Sequence, residues 1–102
     1  MSRARIDIPK DKIADFCREW CIVEFALFGS VLREDFRPDS DVDVLVSFVE
    51  DARWSLFDLV RMQDELKEMF GHEVDLVEKG GLNNPFRRHE ILTTSEVIHA
   101  TG

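Results

Sequence analysis

The chain has 102 residues, with 13 lysines and arginines against 21 aspartates and glutamates, which gives a formal net charge of −8. A chain of this length is typical of one domain, so residues 1–102 are predicted to form a single unit. The negative charge repels polyanions and argues against direct nucleic-acid binding. The apolar stretches are much shorter than the roughly 20 residues of a membrane span. No apolar segment follows the basic N-terminus, so we expect a cytoplasmic protein without membrane contact.

The two cysteines, Cys17 and Cys21, are separated by three residues and have no histidine or further cysteine beside them. Two cysteines cannot form a disulfide framework, and this spacing differs from that of a zinc motif. We therefore predict two buried, reduced thiols.

Apolar periodicity and breaker residues predict helices and strands in alternation. The predicted helices cover about residues 10–20, 56–70 and 86–92, and the predicted strands cover 22–28, 41–48 and 72–77. Residues 96–100 fit either a last strand or a helix end. The apolar stripe of the long helix is predicted to contain Leu56, Leu59, Val60, Gln63, Leu66 and Phe70. This order indicates an α/β (α+β) protein in which helices pack against one small sheet.

Two surface segments each allow two interpretations. Trp54, Leu56 and Phe57 follow a charged loop, and packing is favoured over an exposed docking patch. Arg87 and Arg88 are interpreted as solubilising surface residues, with contact to a nucleotide or a partner as the alternative.

Acidic residues on two predicted strands point to a metal site. Asp41 and Asp43 lie two positions apart, so both side chains point to the same face of the strand. Two adjacent carboxylates repel unless a cation lies between them, and Mg²⁺ prefers such oxygen ligands. Asp75 in the third strand is the candidate for a third carboxylate, and Glu73 is a weaker one. The pattern favours a site for one or two divalent ions.

A phosphate-binding turn is predicted directly after the first strand. Gly29 allows the backbone to approach a ligand closely, and Ser30 adds a hydroxyl to the free N–H groups of the turn. A phosphate cradle on one strand and an acidic pair on the next together indicate a nucleotide–Mg²⁺ site.

The sequence from Gly29-Ser30, through ten residues, to Asp41-Val42-Asp43 resembles the signature of the DNA polymerase β-like nucleotidyltransferases, and in particular of their minimal MNT-type members. The resemblance extends from about residue 20 to residue 98 and implies the mixed sheet of that fold. It also implies that Asp41, Asp43 and Asp75 are catalytic and hold Mg²⁺, two ions in all. Gly29, Ser30 and Arg33 would bind the triphosphate of ATP, which is the substrate.

MNT-type proteins are, as a family, antitoxins of HEPN-type toxins that act on RNA. The resemblance thus implies an adenylyltransferase that moves AMP from ATP to a tyrosine hydroxyl of the partner toxin, in a homo- or hetero-oligomer. One alternative is an interaction protein that neutralises its partner by occlusion alone. Another is a transferase that acts on a small-molecule hydroxyl.

Overall fold

The computed structural model of the chain describes residues 6–101. Its α-helices are α1 (Lys10–Glu19), α2 (Leu56–Phe70) and α3 (Pro85–Thr94), and its strands are β1 (Ile22–Phe28), β2 (Val42–Phe48), β3 (Val74–Glu78) and β4 (Glu96–Ala100). Short 3₁₀ turns follow β1 at Gly29–Leu32 and β3 at Lys79–Gly81. The C-terminal segment that the sequence left undecided is therefore a strand.

The four strands form one mixed sheet in the order β3-β2-β1-β4. Strand β1 pairs antiparallel with both β2 and β4, whereas β2 and β3 run parallel. The parallel pair requires a crossover connection, which α2 supplies. The predicted α/β (α+β) fold, with helices packed on a small mixed sheet, is confirmed.

Local sequence determines where α2 begins and ends. Its N-terminus is a capping box in which the Ser55 hydroxyl accepts from the Asp58 backbone N–H, and the Asp58 carboxylate accepts from the Ser55 N–H. Its C-terminus is Gly71, whose φ of 71° is left-handed and suits glycine. The crossover helix therefore has a defined start at Ser55 and a defined stop at Gly71.

The sheet separates a large core from a small one. On the α1–α2 face, Val42, Val44 and Val46 of β2 pack in the main hydrophobic cluster. On the α3 face, Leu45 and Phe28 pack with Ile91 in a smaller cluster. The alternation of β2 side chains, predicted from the strand pattern, is confirmed on both faces.

Two expectations about packing need correction. The buried stripe of α2 runs through Met62, Leu66 and Phe70, while Leu56 and Val60 are 76% and 48% exposed. The helix is thus rotated about its axis relative to the prediction, so that Met62 rather than Val60 faces the core. Cys21 is exposed, since it lies at the α1–β1 turn with a φ of 58°, whereas Cys17 is buried as predicted.

Within the segment of Trp54, Leu56 and Phe57, the packing interpretation holds for Trp54 alone. The Trp54 indole donates to the Trp20 carbonyl at 3.0 Å and packs edge-on against the Trp20 ring, so Trp54 is a packing residue. Leu56 and Phe57 are exposed.

Within residues 6–101, none of the helices is both long enough and apolar enough to cross a membrane.

Candidate functional site

Strand register brings the predicted catalytic residues of β2 and β3 together beside the end of β1. Asp43 in β2 is paired with Asp75 of β3 on one side and with Phe28, the last residue of β1, on the other. Asp41 directly precedes β2 and is exposed. Because paired residues on neighbouring strands share a face, Asp43 and Asp75 both lie on the α3 face of the sheet.

The start of β2 is held by contacts from the segment before β3. The Val42 N–H donates to the Glu73 carbonyl at 2.8 Å, which fixes the register of the parallel pair. His72 Nδ1 lies 3.1 Å from the Ser40 carbonyl oxygen and donates to it, and its ring packs against Phe36. These contacts fix the backbone on which Asp41 and Asp43 lie.

Gly29 is required where the turn after β1 meets Asp43. Its φ is 76°, and a Cβ at this position would overlap the Asp43 carboxylate. The neighbouring Ser30 hydroxyl donates to the Asp41 carbonyl at 3.4 Å, and Val31 is fully buried beneath the turn. The predicted phosphate-binding turn and the predicted acidic pair therefore lie in direct contact.

The electrostatics of the site centre on Asp43. Burial raises the pKa of its carboxyl above the ordinary value, and the charges of Asp75 and Asp41 raise it further. The guanidinium groups of Arg33 and Arg87 lower that pKa. Three carboxylates and two arginines therefore influence one another at a single place on the sheet.

The matching family model is the nucleotidyltransferase domain, and it covers residues 10–97. The chain is also similar to the Methanocaldococcus jannaschii protein named "Putative protein adenylyltransferase MJ0435". The two are 36% identical over 83 residues, an alignment that covers 81% of this chain and 86% of that protein. The chain belongs to the nucleotidyltransferase domain family. It is accordingly an enzyme of the nucleotidyltransferase class, as the sequence predicted.

Solved structures agree with this family assignment. A protein described as a "putative minimal nucleotidyltransferase" is 33% identical, with a TM-score of 0.69, and the match covers 85% of this chain and 86% of that one. A toxin–antitoxin structure with AMP-PNP has a TM-score of 0.72 at 20% identity, over 92% of this chain and 75% of that one. A Shewanella oneidensis MNT antitoxin complex with a tri-AMPylated HEPN toxin has a TM-score of 0.64 at 18% identity, over 90% and 70%. The last two likenesses concern the fold.

The donor set of this nucleotidyltransferase fits a divalent cation by its chemistry. Asp41, Asp43 and Asp75 supply hard carboxylate oxygens, and their mutual repulsion at Asp43 is what a bound cation would relieve. Across residues 6–101, no three histidine, cysteine or acidic side chains are gathered tightly enough to enclose a metal ion. The three carboxylates are neighbours on one face that would have to converge to share an ion.

The remaining acidic candidate lies outside this site. Glu73 precedes β3, since the strand begins at Val74 rather than at the predicted residue 72. Its carboxylate pairs with the Lys67 ammonium of α2 at 2.6 Å. The structure therefore does not bring the Glu73 side chain to the other three acids, since it pairs with α2.

One residue at the site, Arg87, was interpreted from sequence as a solubilising surface residue, with contact to a nucleotide or partner only as the alternative. Arg87 of α3 and Arg33 line the same cavity, of about 430 Å³, which borders Gly29. The sequence did contain a signal: Arg87, Ile91 and Thr94 recur at helical spacing, and Ile91 is buried against the sheet. Arg88, three residues before Ile91, does not line this cavity and donates to the Lys79 carbonyl at 3.0 Å. The arginine pair therefore divides into one residue at the cavity and one that holds a turn.

Proposed function

We propose that this nucleotidyltransferase moves AMP from ATP to a tyrosine hydroxyl of a HEPN-type toxin, requires Mg²⁺, and thereby acts as an antitoxin in the cytoplasm. The observation that carries the proposal is the pairing of Asp43 with Asp75 at the position where Gly29 contacts Asp43. This arrangement combines carboxylates from two strands with a backbone turn open to a ligand.

Each site residue has a distinct proposed role. Gly29 and Ser30 would bind phosphate oxygens through the turn after β1, and Arg33 would offset their charge. Asp41, Asp43 and Asp75 would hold Mg²⁺, which when bound neutralises charge on the phosphates. These roles require that the site remain open to both the nucleotide and the acceptor.

The proposed reaction is an in-line displacement at the α-phosphorus of ATP. The tyrosine oxygen forms a bond to that phosphorus, the bond to the bridging oxygen breaks, and pyrophosphate leaves. Asp75, the more exposed of the two paired acids, would accept the proton of the attacking hydroxyl. In this proposal atoms and charge balance without a further reactant.

Two observations support a protein acceptor. The chain contains no tyrosine, so a tyrosine acceptor must belong to another molecule. The MNT antitoxin of similar fold is described in complex with a tri-AMPylated toxin. We therefore propose that the partner completes the site by reaching into the open α3 face over the three acids, and that residues 1–102 act as one catalytic domain.

Intact-mass measurement after incubation with ATP and Mg²⁺ tests this function. The chain alone should gain no AMP unit, whereas a HEPN-type toxin partner should gain one or more and lose its RNase activity. The control variant carries asparagine at Asp41, Asp43 and Asp75 and should leave the toxin unmodified. A toxin that is inhibited yet unmodified would support neutralisation by occlusion and contradict the transferase.

A further inference from the structure

The orientation of α3 directs one arginine toward the candidate site. Ile91 is buried against Phe28 and Leu45 on the sheet, so the face of α3 that carries Ile91 is the one packed on the strands. Arg87 and Arg88 precede Ile91 by four and three residues, so the spacing places both beside that face and the cavity lining distinguishes them. Arg87 occupies the first turn, and its side chain lines the cavity beside Gly29.

The Arg87 guanidinium keeps all its donors available for a ligand. Within residues 6–101 it makes neither a hydrogen bond nor an ion pair, whereas Arg33 pairs with Asp35 at 3.4 Å and Arg88 donates to the Lys79 carbonyl. The N-terminus of α3 has fewer free backbone donors for a ligand, because the Asn84 side chain already accepts from the Phe86 and Arg87 N–H groups. The positive charge that α3 brings to the cavity therefore comes from the Arg87 side chain.

The cavity has two chemically different parts. Phe28, Leu32 and Ile91 supply an apolar part. The charged part has two guanidinium groups from different elements, Arg33 and Arg87, and one carboxylate, Glu90, so its formal charge is positive. The volume of about 430 Å³ lies within the range of small-molecule sites, about 300–1,000 Å³. Two arginine forks suit a ligand with several phosphate oxygens, because each fork can donate two parallel hydrogen bonds.

We propose that Arg87 is a second triphosphate-binding residue, which holds the β- and γ-phosphates of the nucleotide from the α3 side while Arg33 holds them from the turn after β1. This inference rests on the proposed function, since it names a residue for the same nucleotide. It makes α3 part of the substrate site in addition to its packing on the sheet.

Calorimetric titration with three ligands tests the assignment at a fixed Mg²⁺ concentration. The ligands are ATP, inorganic tripolyphosphate and AMP, and the proteins are the wild type, Arg87→Gln, Arg87→Lys and Arg88→Gln. The two glutamine variants remove the same charge from neighbouring positions of one helix, so Arg88→Gln controls for net charge and helix composition. A thermal melt of each variant verifies that it is folded.

Arg87→Gln should weaken ATP and tripolyphosphate by about tenfold or more, as expected for loss of a charge-assisted hydrogen bond. The affinity of Arg87→Gln for AMP should change by less than about twofold. The affinity of Arg88→Gln for ATP and tripolyphosphate should change equally little, because Arg88 does not line the cavity and its charge acts as an exposed surface charge. Arg87→Lys should lie between the wild type and Arg87→Gln, because it keeps the charge and loses the fork.

Three results would overturn the assignment: an unchanged ATP affinity in Arg87→Gln, an equal loss for AMP and ATP, or equal effects of the two glutamine variants. No measurable ATP or tripolyphosphate binding by the wild type would overturn it as well. The proposed function fails separately, if the wild type binds ATP through Arg87 but transfers no AMP to a toxin. If AMP transfer to a toxin proceeded at the same rate in Arg87→Gln as in the wild type, the inference about Arg87 would be rejected and the proposed function would stand.

Discussion

On the α1–α2 face of the sheet the side chains of β2 are almost completely buried, whereas on the α3 face the same strand presents Asp43 beside a charged cavity. Val42, Val44 and Val46 thus add apolar burial, which stabilises the fold. Asp43 lies among like charges, which oppose folding and suit a cation-binding site. Under the proposed function, adjacent residues of one strand therefore serve stability and function separately, and substitutions on the two faces should have separable effects.

The largest expected effect is on the packed face. Phe25 is fully buried and its ring lies 6.2 Å from that of Phe16 and 6.5 Å from that of Phe70. Phe25→Ala should lower the free energy of unfolding by about 3–5 kcal/mol, because it removes buried surface and leaves a cavity. Urea denaturation measures this change. The control is Phe86→Ala, at an 85% exposed position on α3, which should change stability by less than about 0.5 kcal/mol. Equal losses would contradict the comparison of faces.

On the site face, Asp75→Asn should act on catalysis rather than on folding. Loss of a general base lowers turnover by about 100-fold or more. We expect kcat for AMP transfer to fall by that factor, while ATP affinity and unfolding free energy change much less. Steady-state kinetics and calorimetry separate the two quantities.

Glu78→Gln is the matched control for Asp75→Asn. Glu78 is an exposed acid on the same edge strand, three residues later, and it lines a groove on the α2 side. This variant should keep wild-type turnover. If Asp75→Asn weakened ATP binding as strongly as it lowered turnover, Asp75 would be an ordinary ligand and not the base.

The two faces of β2 could be predicted from sequence because strand alternation is a local property. Asp43 and Val44 were assigned to opposite sides from their positions alone, and the structure agrees. Register between distant strands is not local, so the pairing of Asp43 with Asp75 came from the structure. The rotation of α2 was not predictable for a similar reason: Leu56 belongs to an apolar stripe in sequence, but in the structure it is exposed and lines an open groove with Val46 and Phe48.

Arg87 shows the limit of reading surface charge. An arginine pair is most often a solvated surface, and both arginines lie about one turn before the buried Ile91. Only tertiary contacts distinguish them, because Arg87 lines the cavity and Arg88 donates to the Lys79 carbonyl. Periodicity indicates which residues share a helix face. Which neighbour that face meets depends on tertiary packing.

Gly29→Ala probes the contact between the turn and Asp43. The left-handed backbone costs a non-glycine residue about 1–2 kcal/mol, and overlap with the Asp43 carboxylate adds to this cost. Gly71→Ala is the matched control, since its φ of 71° is similar and its surroundings are open. Gly29→Ala should therefore destabilise the protein more than Gly71→Ala in urea denaturation.

A double-mutant cycle isolates the free-energy cost of the overlap between a Cβ at position 29 and the Asp43 carboxylate. Combining Gly29→Ala with Asp43→Ala removes the carboxylate, so the cost of the added methyl should fall toward that of Gly71→Ala. Additive effects of Gly29→Ala and Asp43→Ala would show that the turn and the acid are independent. That result would remove the structural reason for glycine at this position.

The smallest expected effect is a gain in stability from Asp43→Asn. Burial and the charges of Asp75 and Asp41 raise the pKa of the Asp43 carboxyl in the folded state, so the charged form opposes folding. Replacing it with asparagine should raise the unfolding free energy at neutral pH by less than about 1 kcal/mol, the range of partly exposed charge interactions. Asp51→Asn, at an exposed position outside the site, controls for net charge and should leave stability unchanged.

The pH dependence gives this last prediction its sign. Above the folded-state pKa of Asp43, the wild-type carboxylate is charged in both states and the native state is penalised. As the pH falls below the unfolded-state pKa, about 3.9, both states bind the proton and the penalty disappears. The advantage of Asp43→Asn should therefore be full at pH 7 and fade as the solution is acidified, measured by urea denaturation at several pH values without divalent ions. A variant less stable than the wild type at pH 7, or an advantage that grows in acid, would show that like-charge repulsion and burial do not govern Asp43.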